Sequence, residues 1–391
     1  MLCVARTVSF AGGSLAHMAL VLYVASRGGG GPAVATLLIV SDFSPSVLAP
    51  VLGSIGDRLD RRRLMLATQI LQAGTVLTIA AWLPSLPVLL LLVAVNANLA
   101  RAFEPASSSA VPQLVAEVDL VRANSMIGFG SYGLSLVGPL GAAALTPLVG
   151  LRGVLLLNAG TFLISAALLW RLPPLAPPQP AQVPHAPTHR PALWRDTMSG
   201  LRYVWTDRTV RATVIGFSLL VACTGLDDIA LVFLAKNTFH AGNSMASLLY
   251  AGADFGMLLG FLALTRVTRV AAAPYFVAGM AISSLGNLLT GVSWAVLPAI
   301  ACQMVRGIGI ASLETGSHTL LQRSVPTAMQ ARVFANLSTA IGFAAGVSYL
   351  GGGIALVSTS PGIVLFAAGA AGLLVTIGTA AALARATRIT R

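Results

Sequence analysis

The sequence is poor in charged residues. Of its 391 residues only 9% are charged, whereas 56% are hydrophobic and the mean hydropathy is +0.84. A soluble globular domain carries roughly 25% charged residues, so the composition excludes an ordinary cytosolic enzyme, which would lack the charge to cover a water-facing surface. It also excludes a disordered chain, because disordered chains are poor in apolar residues.

Motifs that enzymes use are also missing. The three cysteines, Cys3, Cys223 and Cys302, are far apart and match neither a metal-binding nor a CxxC spacing. Lys236 is the only lysine, and there is no Walker loop (GxxxxGK[ST]), HExxH or GxSxG motif. The sequence therefore predicts no catalytic residue, no metal and no cofactor. It also excludes ATP as a direct energy source by the Walker mechanism.

Long apolar runs dominate the chain instead. A helix needs about 20 mostly apolar residues to cross the hydrocarbon core of a bilayer. We predict an all-α integral membrane protein with twelve such helices, and we interpret the first as a span rather than a cleaved leader. The predicted spans are 7–26, 33–53, 64–83, 87–109, 124–148, 153–170, 210–234, 244–264, 274–292, 294–319, 333–356 and 362–383.

The spans fall into two groups of six. Residues 1–171 are predicted to form one six-helix bundle and residues 209–391 a second. Between them, residues 172–208 contain the stretch PPLAPPQPAQVPHAPTHRP. Such a composition cannot pack a core and is typical of a flexible linker.

The two groups also echo each other in sequence. Val115 and Arg122 follow the fourth predicted span, and Val325 and Arg332 follow the tenth with the same separation. The echo and the six-plus-six count indicate a duplicated transporter, whose substrate site is expected at the midplane between the halves.

Basic residues predict the orientation, because Lys and Arg accumulate in cytoplasmic loops. With the N-terminus inside, only Arg27, Arg152 and Lys236 fall in outer loops, and Arg101 and Arg306 fall within spans. We therefore predict a multi-pass protein of a bacterial-type cell (inner) membrane, with both termini and the linker in the cytoplasm. The sequence pI near 10.9 then reflects topology and the lipid bilayer, so nucleic acid is excluded as a partner.

The most specific motif lies between the second and third predicted spans, where Gly53 to Leu64 read GSIGDRLDRRRL. Its glycines permit close backbone approach, its carboxylate can lie against a helix N-terminus, and its arginines can pair with acids or lipid phosphates. A plain positive-inside cluster would explain the arginines but not Gly53 and Asp57 at this spacing. We predict a cytoplasmic gate formed by Gly53, Gly56, Asp57, Arg58, Asp60, Arg61 and Arg62.

This GxxxDRxxRR pattern resembles the signature loop of the major facilitator superfamily, although Asp60 stands where that loop often has glycine. The form DRLDRRRL, and the stretch from Pro105 to Asn124, are similar to the branch of bacterial macrolide-efflux and siderophore-export proteins. The equivalent loop of the second half, Gly260 to Arg266, lacks the acidic residue.

The resemblance implies a secondary transporter that exports a lipophilic small molecule by alternating access, coupled to protons. We expect it to act as a monomer. Two alternatives stay open: uptake of a small metabolite by the same fold, and a membrane sensor or partner protein that does not transport.

The fifth predicted span contains Gly138 and Pro139, which are similar to the core of a pattern associated with antiporters in this superfamily. Leu134, Ala142 and Ala143 stand where further glycines are expected. The partial match favours export, and a proline kink relieved by neighbouring helices explains it equally well.

Ionisable residues within apolar spans are costly and usually mark a transport pathway or a proton relay. Arg101 and Glu104 are three residues apart, so they share a helical face and can pair. In the superfamily pattern an arginine of the fourth helix assists proton transfer, and Arg101 is its nearest match. The alternative is a static ion pair or snorkelling, which we favour for Asp227 and Asp228. The candidates for proton or substrate coupling are Asp42, Arg101, Glu104, Asp254, Arg306 and Glu314.

Two further patterns have structural interpretations. Gly252, Gly256 and Gly260 form a small-residue stripe that allows close helix packing. His17 and His318 could titrate near neutrality, but a lone histidine in a helix is more often simply hydrogen-bonded.

Overall fold

The computed structural model describes residues 1–26, 36, 37, 40, 41, 45, 48, 59–133, 137–175, 193–239, 243–266 and 271–389. Within these residues all regular structure is helical, with thirteen α-helices, a 3-10 helix at Glu117–Asp119 and a π-helix at Leu234–Thr238. The α-helices are α1 (Leu2–Ser26), α2 (Arg61–Trp82), α3 (Leu86–Leu114), α4 (Leu120–Gly133), α5 (Val137–Trp170), α6 (Leu193–Thr206), α7 (Arg208–Thr224), α8 (Asp227–Phe233), α9 (Asn243–Leu264), α10 (Ala272–Gly291), α11 (Val296–Ser324), α12 (Gln330–Ser358) and α13 (Pro361–Ile389).

Seven helices in the described part are long and apolar enough to cross a membrane. They are α2, α3, α10, α11, α12, α13 and the second part of α5. A helix satisfies its backbone hydrogen bonds internally, which the hydrocarbon core requires. The predicted all-helical membrane fold is therefore confirmed, whereas the count of twelve spans and the orientation of the termini stay predictions. The second predicted span, 33–53, lies outside the described residues except for isolated positions.

The predicted span 210–234 is wrong as a single helix. α7 ends at Thr224 and α8 begins at Asp227, with a turn at Gly225 and Leu226 between them. Glycine is a poor helix former, and a Cβ on Gly225 would lie 3.3 Å from the Cβ of Ser348. The break therefore coincides with a close approach of this turn to α12.

α5 is interrupted at the boundary between the fifth and sixth predicted spans. Gly150 has a non-helical backbone there, with a φ of 67°, so α5 comprises two helical parts joined at a kink. This left-handed conformation carries no steric penalty for glycine. The predicted span 124–148 is itself divided, because α4 ends at Gly133 and α5 begins at Val137.

The last part of the predicted linker, which extends to residue 208, contains α6. The prolines of this segment end at Pro191, before α6 begins. Within α6, Gly200 and Val204 are buried and four residues apart. They form one helical face, so the segment packs against the protein as an amphipathic helix.

Contacts divide the chain into two compact units. The first comprises Met1–Leu114, Leu134–Leu201 and Pro326–Thr339, and the second comprises Val115–Gly133, Arg202–Val325 and Ala340–Arg391. α4 therefore belongs to the second unit and the start of α12 to the first. The predicted bundles 1–171 and 209–391 stay a prediction.

In the first unit, α5 packs against α1 and α2, and α2 also packs against α3. The buried side chains of Ile79, Leu155 and Phe162 contribute to the apolar core between these helices. On α1, a Cβ at Gly12 would collide with the side chain of Thr161 on α5. The absence of a side chain there lets the two helices approach closely.

In the second unit, α11 packs against α4, α7, α9 and α10. The glycine stripe of α9 forms one of these contacts, since a Cβ on Gly252 would lie 3.0 Å from the Ile300 carbonyl oxygen and one on Gly256 would collide with that of Met304. The contacts advance together along both helices, so α9 and α11 are parallel. The structural interpretation of the stripe is confirmed.

α10 contacts another side of α11 in the opposite direction. A Cβ on Gly279 would collide with the backbone of Leu313, and one on Gly286 would lie 2.5 Å from the Cβ of Arg306. Moving forward along α10 moves backward along α11, so the two helices are antiparallel. This close packing leaves the polar side chains of α11 inside the second unit.

Candidate functional site

Four predicted gate residues, Gly53, Gly56, Asp57 and Arg58, lie outside the described residues, as does Asp42.

The remaining gate residues lie at the start of α2. Asp60 is the N-cap residue, and its carboxylate accepts a hydrogen bond of 2.9 Å from the backbone N–H of Arg63. A capping carboxylate satisfies a free N–H group and suits the positive end of the helix dipole. Asp60 therefore fixes the point at which α2 begins.

Arg61 and Arg62 bind main-chain carbonyl groups of the first unit. Arg61 is fully buried, and its guanidinium donates to the carbonyl of Thr327. Arg62 donates to the carbonyl of Trp170 and lies 5.6 Å from the centre of its indole ring. Trp170 is the last residue of α5, where carbonyls lack helical partners and carry partial negative charge. Both arginines thus connect the start of α2 to other segments of this unit.

The predicted pair on α3 is present. Nη1 of Arg101 lies 3.1 Å from Oε2 of Glu104, and both side chains are partly exposed. Ser107 extends this polar face, since its hydroxyl donates to the carbonyl of Glu104 at 3.0 Å and accepts from Nη1 of Arg6 at 2.8 Å. The pair can change charge because the carboxylate binds a proton, and its protonation state depends on the nearby guanidinium.

A second ion pair joins α8 to α11. Arg306 was predicted as a coupling candidate without a partner, and the structure pairs it with Asp227. The Asp227 side chain is 1% exposed and that of Arg306 15%. The sequence favoured a static ion pair or snorkelling for Asp227, but it did not identify Arg306 as the partner, because the two residues are far apart in the chain.

Polar side chains continue from this pair toward α10. Nη1 of Arg306 donates to Oε1 of Gln303 at 3.4 Å, and Nε2 of Gln303 donates to the hydroxyl of Thr290 at 3.1 Å. Asn287 lies one turn from Thr290 and is fully buried, and neither atom of its amide has a hydrogen-bond partner within the described part. Buried polar groups normally have partners, so this amide can bind a polar group of a ligand or a water molecule.

A third charged pair lies further along α11. Oε2 of Glu314 is 3.7 Å from Nε2 of His318, and both side chains are about a quarter exposed, at 25% and 23%. The hydroxyl of Ser317 donates to the carbonyl of Glu314 at 2.9 Å. His318 is therefore next to a carboxylate, which sequence spacing allows but which the expectation of a lone histidine did not include. Asp254 is half-buried on α9.

The backbone of Gly138 and Pro139 lies in α5, near its start, and the structure describes nothing further of either residue. Asp228 is likewise placed in α8 by its backbone alone. In the described part of the chain, no group of three or more His, Cys, Asp or Glu residues could hold a metal ion.

The protein family follows from a comparison of the sequence with known families. The sequence profile of the Major Facilitator Superfamily matches residues 2–235. The chain belongs to this superfamily. It is therefore a multi-pass membrane transporter that works in a lipid bilayer on a small-molecule substrate.

Individual relatives agree with the superfamily. The uncharacterized MFS-type transporter YfiS of Bacillus subtilis (strain 168) is 26% identical over 364 residues, which are 90% of this chain and 85% of the relative. Macrolide efflux protein A of Streptococcus pyogenes is 28% identical over 121 residues, 30% of each chain. The outward-facing crystal structure of a bacterial homologue of the iron transporter ferroportin has a TM-score of 0.74 at 17% identity, covering 99% of this chain and 98% of that one. This last likeness concerns the fold alone.

Proposed function

We propose that this superfamily member is a proton-coupled exporter of a lipophilic small molecule, such as a drug, an antibiotic or a siderophore. The observation that carries the proton coupling is that each unit pairs a carboxylate with an arginine of an apolar membrane helix, α3 or α11. Glu104 pairs with Arg101 in the first unit, and Asp227 pairs with Arg306 in the second. Charges at membrane depth are expensive and persist where they serve transport.

The paired carboxylates supply a route from proton binding to conformational change. A proton from the outside binds a carboxylate, which becomes neutral and no longer holds the guanidinium. The released arginine then changes the balance between inward-open and outward-open states. The substrate leaves the cell in one state, and the proton dissociates into the cytoplasm in the other. Asp42, Asp254 and Glu314 are the further candidates for this coupling.

Export is supported by the stretch of similarity to macrolide efflux protein A and by the partial antiporter pattern at Gly138 and Pro139. The proposal includes twelve spans in two six-helix halves, both termini in the cytoplasm, a bacterial-type inner membrane and a monomer. Arginines concentrated in alternate loops support this orientation.

The gate proposal rests on the start of α2. Asp57 and Arg58, with Gly53 and Gly56, form the loop that closes the cytoplasmic side in one state, and Asp60, Arg61 and Arg62 anchor its end. The bonds of Arg61 and Arg62 to main-chain carbonyls support the anchoring role. A gate that uses such hydrogen bonds can open and re-form without changing its charge.

The deciding experiment measures transport in inverted vesicles, with a panel of lipophilic drugs and siderophores and with or without a protonophore. We expect accumulation of at least one compound that the protonophore abolishes. E104Q should reduce accumulation to the protonophore level. E117Q is the matched control, because the Glu117 side chain is 76% exposed, lies outside the apolar helices and contacts Arg323.

Whole cells distinguish the alternatives. Cells that lack the gene should retain more of the transported compound than wild-type cells. Lower retention in the deletion strain would indicate uptake instead of export. Unchanged retention for the entire panel would contradict drug efflux.

A further inference from the structure

The internal repeat extends well beyond the positions that first revealed it. The offset that relates Val115 to Val325 also carries both ends of α3 onto both ends of α11, and each helix has 29 residues. It carries the first residue of α4, Leu120, onto the first residue of α12, Gln330. It also relates α2 to α10 to within one residue at either end. The helices from α2 to the start of α4 and from α10 to the start of α12 are therefore equivalent without gaps.

This register makes two carboxylates equivalent. It carries Glu104 onto Glu314 and Ser107 onto Ser317. The local geometry agrees, because each serine hydroxyl donates to the carbonyl of the glutamate three residues earlier, at 3.0 Å on α3 and 2.9 Å on α11. The same carboxylate position has thus been kept in both halves of the chain.

The cation beside the first carboxylate has no counterpart in the repeat. Arg101 lies one turn before Glu104, with 3.1 Å between Nη1 and Oε2. The equivalent residue of α11 is Ala311, which is fully buried and carries no charge. A guanidinium stays protonated throughout the physiological range, so the charge next to Glu104 is fixed.

The group beside Glu314 is a histidine, and it follows the carboxylate in the helix instead of preceding it as Arg101 precedes Glu104. His318 lies one turn after Glu314, with 3.7 Å between Nε2 and Oε2. The equivalent residue of α3 is Ser108. An imidazole gains or loses its proton near neutral pH. The cationic partner of Glu314 can therefore change its charge in this pH range, whereas the guanidinium beside Glu104 cannot.

We propose that Glu314 and His318 form a further proton-binding site in the second half, in addition to the pair of Asp227 and Arg306. The imidazole takes a proton from water, and the Glu314 carboxylate stabilises the imidazolium that results. The proton returns to water on release, and no other bond changes. The first half keeps the same carboxylate against a fixed charge, so the two equivalent positions respond differently to pH. This assignment rests on the proposed proton-coupled transport.

Several other charged or titratable groups lie on or near α11 in the described part of the chain. Arg122 and Arg266 are exposed, and Arg211 donates to the carbonyl of Trp205. Asp254 lies two residues after Gly252 on α9, and Gly252 is next to Ile300 of α11. Asp254 is therefore about 15–20 Å from Glu314, measured along the axis of α11. The charged and titratable residues of the described helices that contact α11, or lie directly beyond their ends, belong to four helices and the start of α8. They are Glu117, Asp119, Arg122 and Tyr132 (α4 side), Asp207, Arg208, Arg211 and Cys223 (α7 side), Asp227 (start of α8), Tyr250, Asp254 and Arg266 (α9 side), and Tyr275 (α10), with Cys302, Arg306 and Arg323 on α11 itself.

The first test observes the pair without transport. Protein with 13C-labelled histidine in detergent contains five imidazoles, and the His318 signal is the one that H318Q removes. E314Q should move the titration of this signal to lower pH by about one unit, because the anionic partner is gone. E104Q, at the equivalent position of the first half, should leave it unchanged. An unchanged His318 titration in E314Q overturns the proposal.

The second test measures the pH dependence of transport in vesicles. H318R gives the second half a fixed charge, as in the first, and H318Q removes the titrating group. Both variants should lose the dependence on pH in the neutral range that wild type shows. A wild-type pH profile in H318R or H318Q overturns the proposal, even where one of the variants or E314Q fails to fold. Wild-type protein without gradient-driven transport would contradict the proposed function, whereas the His318 titration would still report on the pair.

Discussion

Arg306 on α11 forms an ion pair with Asp227 on α8 inside the second unit. The pairing depends on two local features that bring the residues together. Gly286 on α10 lets that helix pack directly against the backbone of Arg306. The turn at Gly225 and Leu226 ends α7 and starts a new helix at Asp227. Two opposite charges that have left water thereby compensate each other.

Removing one partner of this pair should destabilise the protein strongly. D227N leaves the guanidinium of Arg306 uncompensated, and R306Q leaves the carboxylate uncompensated. Loss of one partner of a buried pair costs about 3–5 kcal/mol. The double variant D227N/R306Q contains no charge at either position and should recover much of this loss. Thermal unfolding in detergent measures all three.

The exposed arginine of α4 provides the matched control, since R122Q should leave the unfolding temperature close to wild type. Coupled residues have non-additive effects. If the loss of stability in the double variant equals the sum of the losses in the two single variants, Asp227 and Arg306 do not stabilise each other.

Gly256 should be intolerant of even one methyl group. A Cβ at this position would collide with the Met304 carbonyl oxygen, so G256A must push α9 away from α11. Overpacking of this kind typically costs about 1–3 kcal/mol. A Cβ on Gly346 of α12 meets nothing within 4 Å, and G346A should be neutral or slightly stabilising, since alanine is the better helix former. Unfolding temperatures of the two variants compare them directly; an unchanged value for G256A would contradict close packing.

Sequence alone predicts those features that depend on residues close together in the chain. Apolar length predicts the membrane helices, and the spacing of Arg101 and Glu104 predicts that they share a face. Four-residue spacing likewise predicts the packing role of Gly256 and its neighbours. These inferences need only the geometry of one helix.

Contacts between distant segments were not predictable in the same way. Hydropathy treats the region around Gly225 as one apolar run, so it hides the break that positions Asp227. The proline content before α6 dominates the composition of the linker and hides the helical pattern of its last residues. The equivalence of Glu104 and Glu314 was present in the sequence, but it became evident only when the ends of α3 and α11 coincided.

Tyr203 should make stability depend on pH at alkaline values. This residue lies on α6, which is not one of the apolar membrane helices, and its hydroxyl donates to the carbonyl of Ser324 at 3.2 Å. Burial, and secondarily the negative charge of Asp207, raise the pKa of Tyr203 above the ordinary value of 10.0. Between these two values the unfolded chain loses the proton first, so stability falls as the pH rises.

The stabilisation of the folded protein by protonated Tyr203 is therefore fully present below pH 10.0. It is lost as the pH rises through the pKa that Tyr203 has in the folded protein. Y203F cannot ionise and should lack this alkaline dependence. Unfolding temperatures of wild type and Y203F across the alkaline range test the effect, and the ultraviolet difference between them isolates one phenol among the six tyrosines. Parallel curves for the two proteins would contradict the raised pKa.

Asp60 is expected to have two separable roles, because it is both the N-cap of α2 and part of the proposed gate. D60A removes the acceptor of the Arg63 N–H and should cost about 0.5–2 kcal/mol in stability. D60N keeps an acceptor oxygen and should unfold near the wild-type temperature. A gate that needs the negative charge should nevertheless transport more slowly in D60N. Wild-type transport in D60N, together with loss of stability in D60A, would assign this aspartate to helix capping alone.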